Sequence, residues 1–168
     1  MRVEVTRKRS LADVSHLTCS REFGKTPLQP MAGNDSKRKK LTPSDRRDLD
    51  VRIGFIEGLV RRDPNYVDVW QLLGDHYTQR GRYTEGLEVD ERLARLEPDN
   101  ALVFYNLACS YALTDQFERA AAALKRSFEL GYRDFNWLAR DPDLRKLRKH
   151  PLYQQVTEAI RQFKSGTA

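Results

Sequence analysis

Residues 64–98 read PNYVDVWQLLGDHYTQRGRYTEGLEVDERLARLEP, a stretch that opens and closes on proline with a spacing of 34. Sliding the chain by those 34 positions sets Trp70 on Phe104, Leu73 on Leu107 and Tyr77 on Tyr111, then Tyr83 on Phe117 and Leu96 on Leu130. Five large apolar positions in one register exceed what chance alignment gives. The chain contains a repeat.

Each unit reads as two helices. Val67 to about Gln79 sets Val69, Trp70, Leu73 and Tyr77 on one face. Gly81 permits a tight turn, and Tyr83 to Leu96 follows with Leu87, Ala94 and Leu96 inward. The second unit runs from Ala101 to about Leu113 with Phe104, Leu107, Ala108 and Tyr111. After Thr114-Asp115 it continues from Phe117 to Leu130 with Ala120, Leu124 and Phe128, and Gly131 supplies a left-handed end.

Upstream, Thr42-Pro43-Ser44-Asp45 is a helix start. Thr42 caps, Pro43 suits the first turn and Asp45 completes a capping box. Leu49, Ile53, Ile56 and Val60 follow at helical spacing, and Asp63-Pro64 stops the helix. Downstream, Asp141-Pro142 begins another helical turn, where Leu144 and Leu147 can cover the last repeat. A final helix after Pro151 carries Leu152, Val156, Ala159, Ile160 and Phe163.

The repeat resembles the tetratricopeptide repeat (TPR), a helix–turn–helix unit of 34 residues. Its pattern of large, Leu, small, aromatic, then small and Pro appears as Trp70, Leu73, Gly74, Tyr77, Gly86 and Pro98, and again as Phe104, Leu107, Ala108, Tyr111 and Ala120. Tyr132 stands where a proline is usual, Asp90 where an aromatic is preferred, and Leu93 where a small residue is preferred. Asp90 is therefore expected to shift the packing of its helix or to take a cationic partner. The fold expected is all-α: a TPR-like α-solenoid of antiparallel helix pairs with a C-terminal helical cap. Residues 42–66 form an N-terminal half-repeat helix, 67–100 and 101–134 two full repeats, and 135–168 the cap. The closing segment is similar to that of short bacterial TPR chains. An open stack needs such an end with a polar outer face.

Residues 1–41 show no usable periodicity and are expected to be disordered, and the stretch from Met31 reads as an alternative native start. Charge is unevenly placed. Residues 1–47 hold 12 Lys/Arg against 5 Asp/Glu, a balance of +7, whereas 48–168 hold 18 against 19, a balance of −1. The basic pI thus belongs to the leading segment, not the repeat body. No apolar run has membrane-spanning length, so no membrane partner is expected. Cys19 and Cys109 lie far apart without metal-ligand spacing and read as free thiols of a cytoplasmic protein.

No catalytic motif appears. His16, His76 and His150 are scattered, and neither a phosphate-binding glycine loop nor His-Glu-x-x-His occurs. The expectation is a non-enzyme without metal or cofactor. Resemblance to the family places the first helix of each pair on a concave face. Its candidate partner groove would be Asp68, Gln71, Asp75 and Thr78 with Leu102, Tyr105, Asn106, Cys109 and Leu113. A protein or peptide bearing a basic residue and an apolar anchor suits that surface. The carboxylate clamp of chaperone adaptors is not met: Asn106 matches, but Gln71 and Asp75 stand where Lys and Asn are needed.

Two alternatives belong to other classes. One is an RNA- or ribosome-associated protein using its basic tail, with Lys37, Arg38, Lys39 and Lys40. The other is a structural accessory subunit, with the face around Ile53 and Ile56 covered by another chain. A monomer or weak oligomer is expected.

Overall fold

The computed structural model describes residues 40–166. The basic leader, the alternative start at Met31 and Cys19 lie outside these residues. Among the described residues every regular element is helical: α1 (Pro43–Arg62), α2 (Val67–Arg80), α3 (Tyr83–Leu96), α4 (Ala101–Leu113), α5 (Phe117–Glu129), α6 (Phe135–Arg140), a 3-10 turn (Pro142–Leu144), α7 (Arg145–Arg148) and α8 (Tyr153–Ser165). None is long and apolar enough to cross a membrane. From α1 to α5 each helix packs on the next, and α8 closes on α5. This is an all-α, TPR-like solenoid.

Local chemistry sets the boundaries. The Thr42 hydroxyl accepts from the Asp45 amide at 3.1 Å, and the Asp45 carboxylate accepts from the Thr42 amide at 2.9 Å. α2 ends at Gly81, whose φ of 85° turns the chain while Arg82 N–H donates to Tyr77 C=O at 2.8 Å. Thirty-four residues on, Asp115 takes the same left-handed conformation at φ 61°, and Gln116 N–H donates to Tyr111 C=O at 2.8 Å. A side chain is tolerated there because aspartate is among the few residues that enter this region readily.

The repeat extends to individual bonds. Tyr77 donates to Glu57 at 2.7 Å, and Tyr111 donates to Glu91 at 2.9 Å. An arginine lies over each ring, Arg82 at 4.6 Å from the Tyr77 centroid and Arg119 at 4.3 Å from that of Tyr111. Glu57 belongs to α1, so α1 does for α2 what α3 does for α4. It takes the place of the second helix of a pair.

Two apolar clusters form the core. One joins Leu49, Ile53, Ile56 and Val60 of α1 to Val69, Leu73 and Tyr77 of α2 and Val89 and Leu93 of α3. The other joins Leu107, Ala108 and Tyr111 of α4 to Leu124 and Phe128 of α5, and to Leu138, Leu144, Leu147 and Val156 of the cap. Ala94 touches both. The close approach of α2 and α3 depends on small residues. A Cβ on Gly74 would sit 3.2 Å from a Val89 methyl, and one on Gly86 would sit 3.2 Å from the Thr78 hydroxyl.

Three expectations need correction. The face around Ile53 and Ile56 is not open to another chain, because α2 already covers it and leaves both residues buried. The buried residues of α3 are Gly86, Leu87, Val89, Asp90 and Leu93, so Leu87 is inward as expected while Ala94 and Leu96 are only half-buried. Among the described residues no cation lies against Asp90; it is 8% exposed and accepts from the Ser110 hydroxyl of α4 at 2.5 Å.

Candidate functional site

The candidate groove residues divide into two groups. On α2, Asp68 and Asp75 are exposed, while Gln71 and Thr78 are half-buried. Three- and four-residue spacing puts Asp68, Leu72, Asp75 and Gln79 on one stripe, opposite the face that meets α1 and α3. Asp68, Leu72 and Asp75 are exposed, and Leu72, at 45% exposure, is the apolar centre between two carboxylates. Leu72 is absent from the sequence-derived set. Its exposure follows from its place on the helix wheel, one position before the core residue Leu73.

On α4 the corresponding surface is covered at Tyr105 and Cys109. Leu102, Asn106 and Leu113 are half-buried, whereas Tyr105 is 1% and Cys109 is 8% exposed. Sequence reasoning places Tyr105 and Cys109 in an open groove; the cap lies over them instead. Tyr105 donates to the Asp141 carboxylate at 2.5 Å, and the Cys109 thiol lies 3.8 Å from the same oxygen. Tyr132 stacks on Tyr105 with ring centroids 4.3 Å apart and planes 11° from parallel.

Asp141 is the lock of this closure. It is buried, and its second oxygen accepts from the Asp143 amide at 2.9 Å, capping the 3-10 turn. Arg148 donates to the Asp141 carbonyl at 2.7 Å and to the Leu138 carbonyl at 3.2 Å, tying α6 to α7. At the rim, Lys146 pairs with Asp115 at 2.7 Å. Burial pushes the pKa of Tyr105 and Cys109 upward, and the Asp141 charge pushes the same way. The Cys109 thiol is therefore held protonated and unreactive.

Beneath the open stripe lies the second buried acid. Desolvation raises Asp90 to about 7, the Ser110 hydrogen bond pulls it down, and the Asp75 charge adds to the rise. Asp75 is itself raised by desolvation, against the opposing influence of His76. The stripe thus carries one carboxylate at Asp68 and a second, less easily ionised one at Asp75, so cationic groups are favoured there.

No family model matches the chain. It is 37% identical over 108 residues to the peroxisomal targeting signal receptor of Komagataella phaffii, covering 62% of this chain and 18% of that protein. The similarity is to a receptor. A PEX5-related protein of Mus musculus is 29% identical over 130 residues, covering 69% of this chain and 21% of its own length. A chloroplastic protein of Arabidopsis thaliana is 33% identical over 94 residues, covering 52% and 28% respectively. The chain therefore spans less than a third of each of these relatives. These are fungal, animal and plant proteins, and they lend no support to a short bacterial type or to a cytoplasmic address.

Proposed function

We propose that the chain is a non-catalytic interaction module that binds an extended peptide across the open stripe of α2. The carrying observation is Leu72, exposed between Asp68 and Asp75 while Tyr105 and Cys109 of α4 are buried under the cap. An apolar side chain on the peptide would rest on Leu72, and Lys or Arg one turn away would meet a carboxylate. Gln71 and Thr78 flank the stripe, and Leu102, Asn106 and Leu113 border it on α4. The receptor named among the relatives recognises a targeting signal, which supports a peptide as the ligand class. The acidic stripe argues against a ligand that presents a free carboxylate at this point.

Fluorescent octapeptides carrying Leu between two Arg residues test the reading against the same peptides with Glu in place of Arg. Anisotropy titration should show saturable binding of the basic series only. Asp68→Lys with Asp75→Lys should weaken it by ~10-fold or more, because like charges then face each other. Leu72→Ser should weaken it without altering the preference for basic peptides. Equal binding of both series, or none by either, would reject the stripe as the ligand site.

A further inference from the structure

The outward side of α1 is the second apolar surface that the helix stack leaves uncovered. Val51 is 74% and Phe55 is 68% exposed, directly across the helix from the buried Leu49, Ile53, Ile56 and Val60. The 34-residue register explains why an apolar surface is there. Phe55 corresponds to Val89 and Ala123, which are both buried, and Val89 packs against Gly74 in the first helix of its own pair. Phe55 thus occupies a position that elsewhere in the stack is covered by a helix.

In the 34-residue register the helix that would cover Phe55 is the counterpart of α2. In register it would span 33–46, but residues 43–46 already form the first turn of α1, which starts six residues earlier than the register with α3 requires. The stripe also has room for a close neighbour. A Cβ on Gly54 would meet nothing within 4 Å, and one on Gly58 would meet only the tip of Arg61.

We propose that this side of α1 is a self-association surface that packs antiparallel on α1 of a second copy about a two-fold axis near Phe55. The charges on the stripe select that occupant. Asp48 lies seven residues before Phe55 and Arg62 seven after, and neither forms an ion pair among the described residues. In an antiparallel pair centred on Phe55, each Asp48 faces Arg62 of the second copy, once on each side of the axis. Val51 then meets the half-buried Leu59 of the second copy, and the two Phe55 rings meet at the centre. A two-fold interface is self-complementary in this manner. Its area is that of one helix face, so the association is weak and reversible.

Sedimentation equilibrium of the full chain, from low micromolar to about 1 mM, reads the equilibrium directly. The expected result is a concentration-dependent rise from one chain mass, 19.6 kDa, towards twice that value. Phe55→Asp should hold the protein monomeric, with an unchanged helical circular dichroism spectrum because the position is exposed. Asp48→Arg and Arg62→Asp should each weaken association by ~5-fold or more, and the double variant should restore it, since the swapped charges again pair. A monomer at every concentration would overturn the proposal, as would a dimer indifferent to Phe55→Asp or a double variant no better than the singles. If the leader covers Phe55 within one chain, the outcome is the monomer. Peptide binding on α2 is measured separately, so either reading can fail alone.

Discussion

Asp141→Ala is expected to destabilise the protein by about 3 kcal/mol. The substitution strands the buried Tyr105 hydroxyl, which costs roughly 1–3 kcal/mol when no partner replaces the carboxylate. It also removes the cap on the Asp143 amide, worth about 1 kcal/mol. Asp141→Asn keeps one acceptor oxygen, enough for one of the two donors, and should cost about 1–2 kcal/mol, so the ordering of the two variants matters more than either value. Urea denaturation measures both. An Asp141→Ala midpoint equal to the wild type would mean that the Tyr105–Asp141 bond contributes nothing to holding the cap on α4.

Asp90 is expected to make stability depend on pH in the direction opposite to most aspartates. Its pKa is raised in the folded state, from an ordinary 3.8 to about 7, so the native protein binds that proton more tightly than the unfolded chain. The associated stability is complete below the unfolded value and is lost as pH rises from about 4 through about 7. At 1.36 kcal/mol per unit this amounts to roughly 4 kcal/mol by pH 8. Asp90→Asn keeps the side-chain shape and the Ser110 hydrogen bond without the charge. It should therefore match wild type near pH 4 and exceed it by that amount at pH 8. A gain of the same size at both pH values, or a loss at pH 8, would show that Asp90 is not a buried acid held near neutrality.

Much of the scaffold is legible before any coordinate. The 34-residue register, the Thr42 capping box, the glycine at residue 81 and the Leu49–Val60 stripe all depend on neighbours within a few residues or on a strict repeat. Glu57 and Glu91 are also within reach of the sequence, because they too are 34 apart and each serves a tyrosine. Closure of the groove is harder to read, since it depends on where a cap of short helices comes to rest. One signal is present. Val103, Tyr105, Leu107, Ala108, Cys109, Tyr111 and Ala112 spread apolar character around the whole of α4, and a helix of that kind is buried on all sides. Asn106 and Leu102 point to the expected open face, while Tyr105 and Cys109 are already too apolar for it.

The open residues escape sequence reasoning for the complementary reason. Leu72, Val51 and Phe55 lie off the apolar core stripes through Leu73 and Ile53, so each reads as a stray. The register gives Phe55 meaning only when it is compared with Val89, whose covering helix is visible. Asp90 reads from sequence as a charge in need of an opposite charge. A hydroxyl on the neighbouring helix takes that place, donating to an acid that burial raises to about 7 and so holds protonated below neutrality.

The reactivity of the Cys109 thiol in a Cys19→Ser background tests the closed half of this surface most directly. With the cap seated over α4, labelling by a maleimide in native buffer should be at least ~100-fold slower than after unfolding in urea, and Asp141→Ala should hasten it. Labelling in native buffer at the rate of the unfolded chain would mean that the cap does not cover this helix, and the division into a closed and an open half would fall.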